Sequence, residues 1–228
     1  MLLHIFIAEK KLIVKSRSLQ MHLVSKRLLS ILMLTAIAFA AIIAVSCHSA
    51  SAATGKWEQT AFVIIDIQND YFKGGAMALE NSERAGKNAG KLLAYFRKNG
   101  VPVIHVRHEN TNASLGFFLP GTDGARIHTC VEPVAGETVL LKHYPNSFQE
   151  TDLGTVLEKM NIKHLVLSGM QSNVCVRATT LEALKKAYAV TIAEDTLAAV
   201  NQSTHKAAVD ELSKAGAKMV SSTSLMKR

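Results

Sequence analysis

The sequence predicts a three-layer α/β domain of the Rossmann type: a doubly wound, six-stranded parallel sheet with helices on both faces. Two observations carry this reading. From Trp57 onward, near-continuous apolar runs of strand length alternate with helical stretches, and such runs belong to strands covered on both faces. A chain that alternates in this way makes right-handed crossovers and packs helices against both sides of one sheet. The elements follow in order. Residues 61–67 (AFVIIDI) form the first strand, and a helix over 82–99 is closed by Gly100. Residues 101–106 form the second strand, followed by the one long irregular segment, 109–137. Segments of that length in compact domains tend to build sites or lids. A third strand over 138–142 precedes a helix over 151–160. A fourth over 164–167 leads through a polar turn to a helix over 175–187. A fifth strand over 189–193, a helix over 203–215 closed by Gly216, and a sixth strand over 218–222 complete the sheet, with no internal repeat.

The domain is assigned to residues 57–228, and residues 1–52 read as an appendage. Residues 28–45 are apolar except for Ser30 and Thr35, follow Lys26 and Arg27, and lead into small residues that include Ala50-Ser51-Ala52. This is the three-part pattern of a secretory signal with an A-x-A cleavage site. The run is also just long enough to span a bilayer, and the stretch before Cys47 is a weak lipoprotein-like sequence. The expectation is an exported, periplasmic or membrane-anchored protein, its leader cleaved, lipidated or retained.

The formal charge of +8 suggests nucleic acid until it is divided along the chain. Of 26 basic and 18 acidic side chains, residues 1–52 hold six and one, which leaves the domain near balance. Its lysines are dispersed and no aromatic residues interleave with basic ones, so nucleic-acid binding is excluded. The expected partners are a small-molecule substrate and further copies of the chain.

Chemistry in such a sheet gathers at the carboxyl ends of the strands. Asp66 interrupts the first strand near its end, Lys142 closes the third and Cys175 follows the fourth. The carboxylate can take the thiol proton, the ammonium favours an anionic sulfur, and a helix N-terminus stabilises thiolate. A rival reading pairs Cys175 with Cys130 as a reversible disulfide in a non-catalytic redox or binding protein.

Four ordered blocks then carry a resemblance: Val63 to Asp70 (VIIDIQND), Pro120 to His128 (PGTDGARIH), Lys142 to Phe148 (KHYPNSF) and Gly169 to Thr179 (GMQSNVCVRAT). Together they are similar to the isochorismatase-like cysteine hydrolase family. The resemblance implies the same six-stranded fold, a catalytic set on Asp66, Lys142 and Cys175, and hydrolysis through an acyl-enzyme on sulfur. It also implies a cis peptide at Met170–Gln171, with the N–H groups of Gln171 and Cys175 facing the oxyanion. Tyr71 matches an aromatic that lines the family's site, and Gln68, Phe118 and Phe117 are further candidates for substrate contact. The cysteine argues against the vinyl-ether chemistry of isochorismatase itself. Residues 105–109 (HVRHE) lack the Asp-x-His of metal-dependent nicotinamidases, so no metal or other cofactor is expected. His105 and His108 lie three apart and project to opposite faces of an extended strand, as structural histidines would. The turn before the helix resembles that of N-carbamoylsarcosine amidase-like, metal-free members. The expected activity is hydrolysis of a small amide or other C–N bonded substrate. The alternative is a nicotinamidase-like metal amidase using other ligands.

Overall fold

The computed structural model describes residues 55–227, and the leader read between residues 28 and 53 lies outside them. Among the described residues, no helix is long and apolar enough to cross a membrane. The strands are β1 (Thr60–Ile65), β2 (Val103–His108), β3 (Thr138–Lys142), β4 (His164–Met170), β5 (Ala189–Ala198) and β6 (Lys218–Val220). All neighbouring pairs are parallel, in the order β3-β2-β1-β4-β5-β6. The helices are α1 (Ser82–Lys98), α2 (Leu153–Lys159), α3 (Arg177–Lys185), α4 (Gln202–Lys214) and α5 (Ser222–Lys227).

The period-two geometry of a strand divides the apolar runs between two cores. Phe62 and Ile64 of β1 pack with Leu92, Leu93 and Phe96 of α1 and Leu225 of α5. Ala61, Val63 and Ile65 pack on the other face with Leu153 and Leu157 of α2, Ala183 of α3 and Leu212 of α4. This is the predicted three-layer arrangement.

Departures from the predicted boundaries are local and have physical causes. β1 stops at Ile65 because Asp66 adopts a left-handed backbone, φ 51°, although its N–H still donates to Val106 O at 2.9 Å. β2 starts two residues late, after Pro102, which has no N–H for a ladder, and runs on to His108. That extension sets His108 opposite Lys142 in register. β4 continues to Met170 because position 169 is glycine. A Cβ there would lie 2.3 Å from Ile65 O, and its φ of +153° suits no other residue. β6 ends early, since Ser222 opens α5 by donating its N–H and hydroxyl to the Asp195 carboxylate at 2.6 and 2.8 Å. The strand order reverses between β1 and β4, and a crevice at such a switch point is where ligands bind in open α/β sheets. Asp66 follows β1 and Cys175 follows β4.

Candidate active site

Lys142 is the hub. Its ammonium lies 2.8 Å from Asp66 Oδ2 and 3.3 Å from Cys175 Sγ. It also meets His108 Nδ1 at 2.8 Å and Tyr144 O at 3.1 Å. Asp66 and Lys142 are fully buried and Cys175 nearly so. Three residues 76 and 33 positions apart in sequence therefore meet at one rim of the sheet, as their strand-end positions predict. Burying an ammonium is tolerable only with its charge and its protons satisfied. Burial works to lower the lysine's affinity for a proton, but the Asp66 carboxylate and the Cys175 sulfur outweigh it, so Lys142 stays charged. Neither Asp66 oxygen has a hydrogen-bond partner, Oδ2 being held by the ion pair alone, which leaves the carboxylate able to accept a proton.

His108 corrects the sequence reading. It projects opposite to His105, as expected, but on the side of the site. Burial first, then the Lys142 charge, lower its basicity, so the imidazole is neutral. Its tautomer follows from its neighbours: Asn110 Nδ2 donates to Phe117 O at 2.8 Å, which turns Asn110 Oδ1 toward His108 Nε2 at 3.0 Å. Nε2 carries the proton, and Nδ1 accepts from Lys142. His105 is the structural one. It meets Glu137 at 2.9 Å, and Arg97 holds the same carboxylate with two contacts of 2.7 Å.

Cys175 sits in one turn of π-helix, Ser172–Val176, that precedes α3. Such turns are rare and recur at functional sites. The expected cis peptide at Met170–Gln171 is present at the start of this turn. The surroundings of the sulfur oppose the thiolate that a lysine and a helix start would favour. Burial pushes the Cys175 thiol well up and the Asp66 carboxylate adds to it, while Lys142 pulls down without reversing either. The rival pairing with Cys130 is not formed. Both cysteines are free, and they belong to opposite faces of the sheet. Burial raises the Cys130 thiol to about 12, as for a core residue.

Tyr71 is buried beside the site. Burial, then the nearby Cys175 and Asp66, keep its phenol protonated and available as a donor. Phe118 stacks on Tyr71 at 4.5 Å between ring centres and reaches His108 at 6.1 Å. It is fully buried and forms a back wall, with Phe117 on its outer side. Asp70 fixes this wall by accepting from Phe118 N at 2.6 Å and Ala76 N at 3.0 Å. Gln68 is reassigned. Its amide donates to His108 O and Ala125 O at 2.8 Å and accepts from His108 N at 2.7 Å. It fastens the end of β2 to the long loop and has no hydrogen-bonding capacity left for substrate at those contacts.

Asp66, His108 and Cys175 bring one ligand-type atom each within 4.8 Å of one another. The Lys142 ammonium already contacts all three, so the positive charge that such a cluster calls for is built into the fold.

The family profile for the isochorismatase domain matches residues 60–224, nearly the whole described region. The chain belongs to the isochorismatase family. The family protein YddQ of Bacillus subtilis (strain 168) is 48% identical over 139 residues, which cover 61% of this chain and 77% of YddQ. The crystal structure of an isochorismatase-type hydrolase from Oleispira antarctica superposes with a TM-score of 0.72 at 41% identity, covering 77% of this chain and 99% of the other. N-carbamoylsarcosine amidase from Thermoplasma acidophilum superposes with a TM-score of 0.65 at 28% identity, covering 72% and 96%. This family member is therefore a hydrolase with amidase-like relatives, and the site just described lies inside the matched region.

Proposed function

We propose that this isochorismatase-family hydrolase cleaves a small amide or carbamoyl C–N bond through a thioester on Cys175. The observation that carries the reading is the buried Lys142 ammonium, 2.8 Å from Asp66 and 3.3 Å from Cys175. The similarity to N-carbamoylsarcosine amidase supports the bond type.

Burial and the Asp66 carboxylate favour the thiol, so in this reading its proton leaves as it attacks. The thiol proton passes to Asp66 while sulfur bonds to the substrate carbonyl carbon. The carbonyl oxygen takes the negative charge and accepts from the N–H groups of Gln171 and Cys175, a donor pair worth a few kcal/mol in comparable sites. Asp66 then gives its proton to the departing nitrogen, the C–N bond breaks and a thioester remains. Water loses a proton to Asp66 and attacks the thioester. Collapse of that intermediate releases the acid and returns the proton to sulfur. Lys142 keeps its charge throughout and stabilises whichever of the carboxylate and the sulfur is negative. Tyr71 and the two phenylalanines suit a small planar or apolar acyl group.

The test is ammonia release from a panel of small amides, carbamoyl compounds and ureas. Turnover of at least one is expected, and its loss in Cys175→Ala with the fold retained. Activity that survives this substitution would defeat the reading. Export is proposed with it, from residues 28–53 alone, and N-terminal sequencing of the secreted or membrane fraction tests it. A homo-oligomeric state is proposed too, to be checked by sedimentation.

A further inference from the structure

Lys142 and Cys175 meet although the sheet does not pair the strands that lead to them. β3 and β4 are three strand spacings apart in the order β3-β2-β1-β4, roughly 14 Å between backbones. The 3.3 Å contact between ammonium and sulfur therefore depends on how the segment after β3 is fastened to the turn and helix after β4. Among the described residues, and apart from the Lys142–Cys175 contact itself, the hydrogen bonds that join those two parts run between Ser147 and Thr179. The Ser147 N–H donates to Thr179 Oγ1 at 3.0 Å, and the Thr179 hydroxyl donates to Ser147 Oγ at 2.8 Å. Both residues are fully buried. We propose that Thr179 and Ser147 are positioning residues, a buried latch that sets the distance between the Lys142 ammonium and the Cys175 sulfur.

Each half of the latch is linked to the group it places. Thr179 lies four residues after Cys175, one helical turn beyond the sulfur, where the π-turn has passed into α3. On the other side, Tyr144 O accepts from the Lys142 ammonium at 3.1 Å, so the segment after β3 holds the ammonium as well as following it. Ser147 O accepts from Thr151 Oγ1 at 2.5 Å, and Thr151 Oγ1 accepts from Leu153 N at 3.2 Å where α2 begins. Ser147 thus has its N–H, its carbonyl and its hydroxyl oxygen engaged. Valine at position 179 has nearly the shape of threonine but can neither accept nor donate, which would leave the Ser147 N–H buried without a partner. A buried donor in that state carries its full desolvation penalty. The segment relieves it by moving outward to water, and takes Tyr144 O and the ammonium with it.

The inference rests on the cysteine-hydrolase reading but is tested without a substrate. In the full chain, the rate of iodoacetamide modification is followed against pH on the peptide that contains Cys175. The ionisable groups that face the sulfur are Lys142, Asp66, His108 and Tyr71, and the variants leave all four in place. Thr179→Val draws the ammonium away from the sulfur and so disfavours thiolate. Modification is expected to slow about three- to tenfold at a given pH, a shift of the profile by up to about one pH unit. Thr179→Ser keeps the hydroxyl and is expected to restore the parent rate. A merely structural role gives the opposite sign, because a loosened core exposes the buried sulfur and speeds its modification. If Thr179→Val does not fold, Ser147→Ala, which removes one of the two hydrogen bonds, is expected to slow modification by less. An unchanged or faster rate in the variant measured, or a Thr179→Ser rate as slow as that of Thr179→Val, overturns the inference. Turnover lost in Cys175→Ala alongside an unchanged rate in Thr179→Val would retire the latch and leave the hydrolase reading standing.

Discussion

Replacing Lys142 with Met tests how much of the fold depends on the buried ammonium. Methionine keeps most of the apolar stem, so the charge and its hydrogen bonds are what the change removes. At the observed 2.8 Å, an effective dielectric of about 20 puts the Asp66–Lys142 attraction at ~6 kcal/mol. Much of that offsets desolvation, and breaking one side of a buried pair typically costs ~3–5 kcal/mol, because the partner charge is left uncompensated. Against a total stability of ~5–15 kcal/mol for a domain, this is a large share, readable as a lower urea midpoint near pH 7. The double variant Asp66→Asn/Lys142→Met leaves no lone charge. It is expected to recover most of the loss, with a coupling of ~2–3 kcal/mol between the two sites, while remaining inactive. A single-variant cost below ~1 kcal/mol, or a double variant no better than the single one, would refute the claim that the pair is buried and mutually dependent.

Further expectations concern the framework. Burial opposes ionisation of Glu137, but Arg97, the Val134 N–H and His105 together hold its carboxyl at about 2. Its contribution is thus present above the ordinary value of about 4.5 and lost as pH falls from there toward 2. Glu137→Gln should flatten thermal stability across that window. The buried neutral histidines His105 and His108 both have lowered proton affinity, so the unfolded chain binds more protons below 6.5 and stability falls from there downward. If the melting temperature of the parent is flat between pH 7 and 5, that assignment is wrong. Gly124→Ala would place a Cβ 2.2 Å from the Asp70 carboxylate. The expected cost is ~1–3 kcal/mol, together with weaker substrate binding as Asp70 loses its hold on Phe118. A variant with parent stability and KM would contradict that role for the loop.

The acid, the base and the sulfur were legible in the sequence because each ends or follows an apolar run, and parallel topology brings such positions to one rim. His108 was read as structural for a narrow reason. A second strand ending at Val106 leaves it in a loop, whereas two more residues of pairing set it against Lys142. The parity argument that separated it from His105 was sound, and only the strand's length was missed. The assignment of Gln68 to substrate failed because nothing in the sequence shows that three backbone groups surround its amide. The surroundings of Cys175 were hidden for a similar reason. A lysine and a helix start can be read in the sequence, but burial and an adjacent carboxylate are products of packing, and they push the thiol up against the pull of Lys142.

The most direct measurement is the mass of the enzyme quenched in acid while it turns over an amide substrate, with the modified peptide located by fragmentation. An acyl group on the Cys175 sulfur, absent from Cys175→Ala and diminished in Asp66→Asn, which cannot take the thiol proton, is the predicted result. Turnover with no adduct on that peptide in any of these proteins, or an adduct on another residue, would contradict the account.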